Sequence, residues 1–431
     1  MDAGMNLEAA LGERSAWIAR AGARWSALVH ASALGFVAML YANPMYWWPE
    51  LEQLRLAAAA MALSAVALVA HRIVSGERVR LGLPQAGPLL AYLAFVPLSF
   101  AWTLSEDATT RATVDAAKLA VVFVIVQAAV DAPSRLRRFV LAAGLAALGP
   151  ALGTLWVWSG GEPLVDGFRA HWRGLFGDPN WLAGSLVAVL PFAILGAFAA
   201  RSVLARVLFA ATAVLQVAAI VGTHSRSGAV GAALAIGLAV LRGTTMGPLR
   251  KAGLALATVA ALVAFAPDSF WQRSRSIAEY DQDASVEGRE HAWSVLRVIL
   301  EERPLTGVGA GAFLPSWDRY APLDAGGHRY VVHNLFFEIV GELGLVAFGL
   351  FLAFCAWLLR AVWRAGDDPL VGAEARAVFA GLLGYLVVEM VNGYSASWFL
   401  YVLFACGVGV VRLARARASV ARASVMSEPA G

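Results

Sequence analysis

The stretch "GGHRYVVHNLFFEIVGELGLVAFGLFLAF", from Gly326 to Phe354, decides the fold because polar sequence changes there into a long apolar run. Within the run, Asn334, Glu338 and Glu342 recur at intervals of four residues. That spacing puts the three polar side chains on one face of a helix. Ionisable side chains in a membrane helix face the bundle interior or a water-filled cavity. The stretch therefore predicts a spanning helix with a polar edge.

The composition of the whole chain indicates an all-α polytopic membrane protein. Of 431 residues, 59% are hydrophobic and only 15% are charged, whereas about a quarter of a soluble domain is charged. An α-helix needs roughly 20 apolar residues to cross the hydrocarbon core, and hydropathy predicts about twelve such spans in a lipid bilayer. No nucleic-acid partner is expected. The spans are predicted at residues 25–42, 54–74, 88–104, 112–130, 138–158, 181–200, 203–221, 227–241, 250–266, 333–359, 375–391 and 396–413.

The arginines predict the orientation of these spans. Arginine-rich connections alternate with acidic ones such as "WWPELEQ" and "LSEDATT", and cytoplasmic loops are the ones enriched in Lys and Arg. Both termini are therefore expected in the cytoplasm. The predicted segments are an N-terminal cytoplasmic or interfacial segment (1–24), spans one to nine (25–266), a long outer loop (267–332), spans ten to twelve (333–413) and a cytoplasmic tail (414–431).

Three outer connections carry arginines on the disfavoured side. "DGFRAHWRGLFGDPNW" contains Arg173, "GTHSRSG" contains Arg226, and the long loop contains Arg289, Arg297 and Arg329. Binding of an anion is one reason to keep arginines there. The alternative is ordinary loop charge balanced by nearby acidic residues. That alternative explains Arg226 less well, because its short loop contains no acid.

The long loop is predicted to contain an amphipathic helix at Glu287–Glu302. Apolar residues with a period of 3.6 form its stripe, and Pro304 follows its end. Such a helix is expected to lie as a lid over a cavity open to the outer side, with Arg289 facing that cavity. "GVGAGAF" at Gly307–Phe313 is predicted to be a tight turn, because no strand precedes it and the Lys-Ser/Thr ending of a phosphate-binding loop is missing. The stripe consists of Ala292, Val295, Leu296, Ile299 and Leu300.

Several of these motifs together resemble the O-antigen ligase/polymerase superfamily. "THSRSGAVG", "GREHAWSVLRVILEERPLTGVGAGAF" and "HNLFFEIVGELG" follow one another in that family's order and approximate spacing. "GLFGDPNWLAG" resembles an upstream family feature, and "SIAEYDQDASVEGREHAW" is similar to ligases associated with the exosortase system. The resemblance covers roughly residues 90–410. One position departs from the ligase pattern of His-Asn/Ser/Gln, nine residues and Gly-x-x-Gly/Thr/Tyr: His333, Asn334 and Gly344 match, but Ala347 stands last.

The resemblance implies a glycosyltransferase in the bacterial inner membrane with its active site facing the periplasm. Such enzymes move a glycan from undecaprenyl diphosphate to a hydroxyl of lipid A–core, and neither a cofactor nor a metal ion is expected. The family uses a histidine at the periplasmic edge and arginines of the outer loops. By motif these correspond to His333, Arg226 and Arg289, with Arg173 as a weaker match.

The chemistry of these residue types agrees with that reaction. Arginine forks hold a diphosphate and absorb the charge that develops as it leaves. Neutral histidine suits the role of general base toward the acceptor hydroxyl, and direct attack predicts inversion. For His333 the alternative is an ordinary interfacial histidine at the start of its helix. The predicted supporting residues are Asn334, Arg297, His328, Arg329 and Glu338.

Other functions remain open from the sequence. An O-antigen polymerase or a protein O-glycosylation ligase would use the same donor, with a glycan or a protein as acceptor. A secondary transporter belongs to a different class. It is disfavoured because one half of the chain does not repeat in the other, as it does in many transporters.

Overall fold

The computed structural model is a bundle of α-helices. It describes residues 2–42, 44–76, 86–243, 284–321, 328–393 and 395–426, together with the single positions 247, 249 and 253. An isolated β-bridge joins Val165 and Arg169, and helices form most of the described chain. The predicted all-α class is confirmed for these residues.

The described ranges contain fourteen α-helices, some of them joined by short 3-10 turns. The first helix runs without a break from the predicted N-terminal segment into the first predicted span. The helices are α1 (Asp2–Tyr41), α2 (Leu56–Ser75), α3 (Gly87–Leu98), α4 (Glu106–Ala129), α5 (Pro133–Ala146), α6 (Leu148–Trp156), α7 (Pro179–Ala199), α8 (Val203–Gly222), α9 (Arg226–Gly243), α10 (Ala284–Glu302), α11 (Trp317–Tyr320), α12 (Leu335–Ala365), α13 (Gly372–Asn392) and α14 (Trp398–Met426).

Eight helical segments of the described chain are long and apolar enough to cross a membrane. A polytopic membrane protein is therefore supported, while the number of twelve spans stays a prediction. The predicted span at 88–104 corresponds to a shorter apolar helix, Gly87–Ala101, and the one at 250–266 lies, apart from position 253, outside the described residues. The eight are Glu13–Tyr46, Pro49–Ser75, Glu106–Ala129, Pro133–Gly161, Pro179–Ala199, Val203–Gly222, Leu335–Ala365 and Trp398–Ser419.

Helix α13 packs closely between α7 and α9, and glycines make this possible. A Cβ added at Gly381 would lie 2.3 Å from the backbone oxygen of Ala188 on α7, and one added at Gly384 would lie 3.0 Å from the backbone oxygen of Gly231 on α9. Small residues let membrane helices approach at backbone distance. Because α13 runs antiparallel to both neighbours, its C-terminus meets their N-termini.

The predicted amphipathic helix of the long loop is present as α10. Four residues of its stripe are buried, namely Ala292, Val295, Leu296 and Ile299, and Leu300 packs at the edge of the same cluster. This small core also contains residues of the 308–320 segment and of α12. The described part of the long loop is therefore fixed on the bundle by apolar burial, and its role as a lid stays a prediction.

Helix α12 covers the span predicted at residues 333–359 and is one of the eight candidate spans, but its backbone is broken at Gly344. Gly344 has φ 75° and ψ −179°, a conformation that glycine adopts without a steric penalty. The tight turn at Gly307–Phe313 causes the break. In an unbroken helix the carbonyl of Gly341 would accept from the amide of Leu345. Here it accepts instead from the amide of Val308, at 3.1 Å.

The rest of the turn is held by the same part of α12. The amide of Leu345 donates instead to the carbonyl of Pro304, at 2.9 Å. The Glu342 carboxylate accepts from the amides of Gly311 (2.7 Å) and Phe313 (3.4 Å). The close-packed turn expected from the sequence is thus present, and Glu342 is one of the groups that stabilise it.

We expect Gly381→Ala to destabilise the protein by about 1–3 kcal/mol, the usual cost of forcing extra volume into a packed contact. The added methyl group must push α13 away from the backbone of α7. Thermal unfolding of the purified protein in detergent measures the effect. The matched control is Gly237→Ala on α9, where an added Cβ meets no atom within 4 Å. Equal unfolding temperatures for the two variants would contradict this packing account.

Candidate active site

The C-terminal end of α13 meets the N-termini of three helices, α7, α9 and α12. We call this meeting point the α13 junction. Asn392 connects it, because its side-chain amide donates to the carbonyl of Asn180 on α7 (3.1 Å) and its Oδ1 accepts from Ser227 on α9 (3.4 Å). Helix N-termini carry positive partial charge and favour anions. The junction therefore gathers three such ends at one place.

Each of the three N-termini is capped by a side chain. Asp178 accepts from the amides of Asn180 and Trp181 in α7, and Ser225 accepts from the amide of Gly228 in α9. Such caps satisfy one or two of the first amides of a helix and fix where it begins. The short polar side chains of Asp178 and Ser225 thus determine where α7 and α9 begin.

The third cap is Asn334, whose Oδ1 accepts from the amides of Phe336 (2.9 Å) and Phe337 (3.1 Å). Asn334 was predicted as a supporting residue, and the structure gives it this positioning role for the start of α12. Glu338, one turn further, accepts from the backbone amide (3.1 Å) and the hydroxyl (2.6 Å) of Ser395. The polar edge of α12 therefore joins this helix to the segment that follows α13.

His333 immediately precedes the Asn334 cap and lies at the α13 junction. Its backbone has φ 49°, a left-handed conformation that is uncommon for residues other than glycine. A backbone hydrogen bond to Asn392 holds its ring. Gly393 makes the approach possible, since a Cβ there would lie 2.4 Å from the amide nitrogen of Asn334. His333 is therefore held in a fixed position by the end of α13.

Arg289 lies at the same end of α13. One guanidinium nitrogen donates to the carbonyl of Val391 at 3.4 Å. Burial lowers the pKa of His333, and the positive charge of Arg289 lowers it further, while the hydrogen bond to Asn392 and the charge of Asp178 oppose the shift. A lowered pKa keeps the imidazole neutral at neutral pH, which is the form that accepts a proton.

Arg226 is the first residue of α9, next to Ser227, which contacts Asn392. The loop before it repeats the arrangement at His333: His224 has φ 52° and is followed by the capping residue Ser225. His224 is almost fully buried, and its Nδ1 lies 3.0 Å from the carbonyl oxygen of Gly222. Both histidines have a left-handed backbone conformation, but His224 is buried in the protein interior.

Arg173 was predicted to bind the diphosphate, and its described contacts lie elsewhere. Its Nε donates to Glu162 (2.8 Å) and its Nη1 donates to the carbonyl of Tyr46 (2.7 Å). The guanidinium also lies 5.3 Å from the ring centroid of Trp172 and 5.8 Å from that of Trp156. These contacts join the 162–178 connection to the segment after α1.

The same connection contains an arginine that the sequence reasoning did not select. Arg169 is only 6% exposed, and it donates to Asn180 Oδ1 (2.7 Å) on α7 and to the carbonyl of Thr223 (3.1 Å) before α9. It therefore joins two of the capped N-termini of the junction. The sequence shows two arginines four residues apart, and nothing in their spacing tells which one is buried.

Three further predicted residues contact other parts of the long loop. Arg297 is 77% exposed and lies 3.9 Å from Glu301 on the same helix. Arg329 pairs with Asp318, also at an exposed position. The ring of His328 lies beside that of Tyr330, with 6.3 Å between the ring centroids. The structure thus brings His333 and Arg289 together with the start of α9, and it places these three outside that group.

Metal binding has no support among the described residues, where no group of three His, Cys, Asp or Glu side chains is close enough to hold an ion. The expectation of metal-independent chemistry stays a prediction.

Comparison with known proteins agrees with the motifs. The model of the O-antigen ligase family matches residues 211–352, a range that contains Arg226, Arg289, His333 and Asn334. The resemblance to the O-antigen ligase superfamily is confirmed for this part of the chain. A search of curated proteins finds none that matches the chain. The family match supports a membrane glycosyltransferase of the ligase or polymerase type.

The proximity of Arg289 to His333 has a measurable consequence. We expect His333 to titrate below the ordinary histidine pKa of 6.5, and Arg289→Gln to raise that pKa because one of the two causes of the shift is removed. NMR of histidine-labelled protein measures both values, and His333→Gln identifies the signal. Arg297→Gln is the matched control on the same helix. An identical His333 pKa in wild type and Arg289→Gln would contradict the proposed geometry.

Proposed function

We propose that this protein is an O-antigen ligase-type glycosyltransferase that moves a glycan from undecaprenyl diphosphate to a hydroxyl of lipid A–core on the periplasmic side of the inner membrane. The observation that carries the proposal is the α13 junction. There His333 lies beside Arg289, and three capped helix N-termini meet. The family match over residues 211–352 supports the class of reaction.

The proposed reaction divides the work between the imidazole and the cations. The acceptor hydroxyl oxygen attacks the anomeric carbon of the donor sugar and inverts it. The bond from that carbon to the phosphate oxygen breaks, and its electron pair leaves with undecaprenyl diphosphate. His333 takes the proton from the hydroxyl as the new bond forms. Its hydrogen bond to the Asn392 backbone makes one ring nitrogen the donor, so that the other is the acceptor in the neutral ring.

Arg226 and Arg289 are proposed to bind the diphosphate. Guanidinium groups are permanently charged and pair with phosphate oxygens through two parallel hydrogen bonds. The partial positive charge at the starts of α7, α9 and α12 adds to theirs. These fixed charges stabilise the negative charge of the leaving group without any need for the site to reorganise.

The ligase assignment concerns the acceptor, since an O-antigen polymerase or a protein O-glycosylation ligase would use the same donor site. Two positions of that family pattern, Gly344 and Ala347, bear on packing. Gly344 is the residue at which α12 breaks, and Ala347, which departs from the ligase pattern, is fully buried. This departure therefore falls at a packing position.

The proposed base is tested by His333→Gln and His333→Ala in vesicles that contain purified donor lipid and lipid A–core. Each variant should lose about 10²–10⁴-fold in transfer rate, the contribution typical of a general base. Donor binding should survive, because the arginines hold the diphosphate. His328→Gln is the matched control and should keep the wild-type rate. Wild-type turnover by His333→Gln would return His333 to the role of an interfacial histidine.

The proposed anion site is tested by Arg226→Lys and Arg289→Lys, with Arg297→Lys as the matched control. Lysine keeps the charge but cannot form the bidentate fork, so we expect transfer to fall by roughly tenfold or more in the first two variants. Donor affinity should fall as well. If both lysine variants bind and transfer like the wild type, bidentate recognition by these residues is refuted.

A further inference from the structure

A polar cavity lies at the end of the bundle opposite the α13 junction. Its volume is about 640 Å³, and α1, α2, α4, α5 and α14 surround it. Helix α14 starts at Trp398, next to the junction segment, and reaches the cavity at Arg412. The fourteen residue steps from Trp398 to Arg412 span about 21 Å of helix. The cavity is therefore separated from the proposed active site by most of the thickness of a membrane.

The cavity is basic. Among the described residues that line it, three are arginines, Arg72, Arg135 and Arg412, and one carries a carboxylate, Asp131. Asp131 is engaged by Arg135, whose Nη1 donates to its two oxygens at 3.0 and 2.9 Å. Guanidinium groups pair well with phosphate oxygens, so this arginine-rich lining favours an anionic ligand. The volume is within the range of ordinary ligand sites, about 300–1,000 Å³.

The guanidinium of Arg412 is fixed at the inner edge of this cavity. It donates to the backbone carbonyls of Gln127 (2.7 Å) and Val130 (3.2 Å) at the end of α4. On the other side, His71 Nδ1 lies 2.9 Å from the carbonyl oxygen of Gly22, and this contact joins α2 to α1. These contacts therefore fix Arg412 and His71 to the helices that surround the cavity.

The walls of the cavity favour a lipid over a soluble anion. Val29, Leu68 and Leu413 line it beside the charged residues. On α2, which borders the cavity, Val69 is 59% exposed and Ile73 is 76% exposed on the surface of the bundle. Apolar side chains so exposed on a spanning helix face the hydrocarbon of the bilayer. An amphiphile can thus place its charged end in the cavity and its chains along α2.

We propose that this basic cavity binds the phosphate of an anionic phospholipid, with the headgroup between Arg72, Arg135 and Arg412. Basic pockets between spanning helices on the cytoplasmic side are suited to such headgroups, and the arginine pattern predicts that this end of the bundle is cytoplasmic. The inference goes beyond the proposed glycan transfer and does not depend on it. The bound lipid would fill the space between α1, α2, α4, α5 and α14.

The test is lipid binding by the purified full-length protein in detergent, measured by native mass spectrometry. We expect phosphatidylglycerol to bind in preference to phosphatidylcholine. The variant Arg72→Gln/Arg135→Gln should bind phosphatidylglycerol about 25-fold more weakly, from about fivefold for each arginine near an anionic lipid. The matched control is Arg360→Gln/Arg364→Gln, which removes the same charge from exposed positions at the C-terminal end of α12. Equal binding by the wild type and the cavity variant would overturn the proposal.

Two further measurements keep the proposal testable if the double variant does not fold. Asp131→Asn removes the carboxylate that engages Arg135, so it should strengthen phosphatidylglycerol binding several-fold. Unchanged or weaker binding would count against the cavity. Inorganic phosphate at millimolar concentration should not displace the lipid, whereas efficient displacement would overturn the assignment to a lipid and identify a soluble anion.

Discussion

The last carbonyls of α13 are the point on which the proposed site depends. The final carbonyls of a helix have no partner within it. Here the carbonyl of Val391 accepts from Arg289, and the backbone of Asn392 is hydrogen-bonded to His333. One helix end thus positions both the proposed base and a proposed diphosphate ligand. The negative partial charge of a helix C-terminus also suits a cation such as Arg289.

Glycines far from the site determine where that helix end lies. Gly381 and Gly384 let α13 contact the backbones of α7 and α9, and Gly393 lets its end contact the chain at Asn334. Because the helices run antiparallel, close packing along their length brings the end of α13 to the starts of α7, α9 and α12. A glycine also determines the backbone of α12. The positive φ of Gly344 makes room for the tight turn at Gly307–Phe313, whose amides donate to Glu342. The positions of the polar groups are therefore consequences of backbone packing.

Local features of the site could be predicted from the sequence. The stripe of α10 follows from its 3.6-residue period, and the polar edge of α12 follows from the spacing of Asn334 and Glu338. The break at Gly344 could not be predicted, because it requires a turn that lies more than thirty residues earlier, at Gly307–Phe313. The burial of Arg169 was missed for the same reason. Its partners Asn180 and Thr223 are brought together only by the packing of three helices.

The same distinction applies to the arginines of the outer connections. All of them are unusual by the orientation rule, yet Arg173 and Arg329 are engaged by the acidic residues Glu162 and Asp318. Charge counting along the sequence does not separate these pairs from Arg289, because the acidic partners lie eleven residues away in the chain. Contact with the end of α13 is the feature that separates them.

The most direct test of the central claim is to locate the donor on the protein. A photoreactive analogue of undecaprenyl diphosphate, with its reactive group next to the phosphates, is crosslinked to the purified protein, and the labelled peptides are identified by mass spectrometry. The account predicts labelling of the chain around Asn180, Arg226, Arg289 and Asn392, reduced in Arg289→Gln. Labelling confined to the cavity around Arg72 and Arg412, at the opposite end of the bundle, would contradict it.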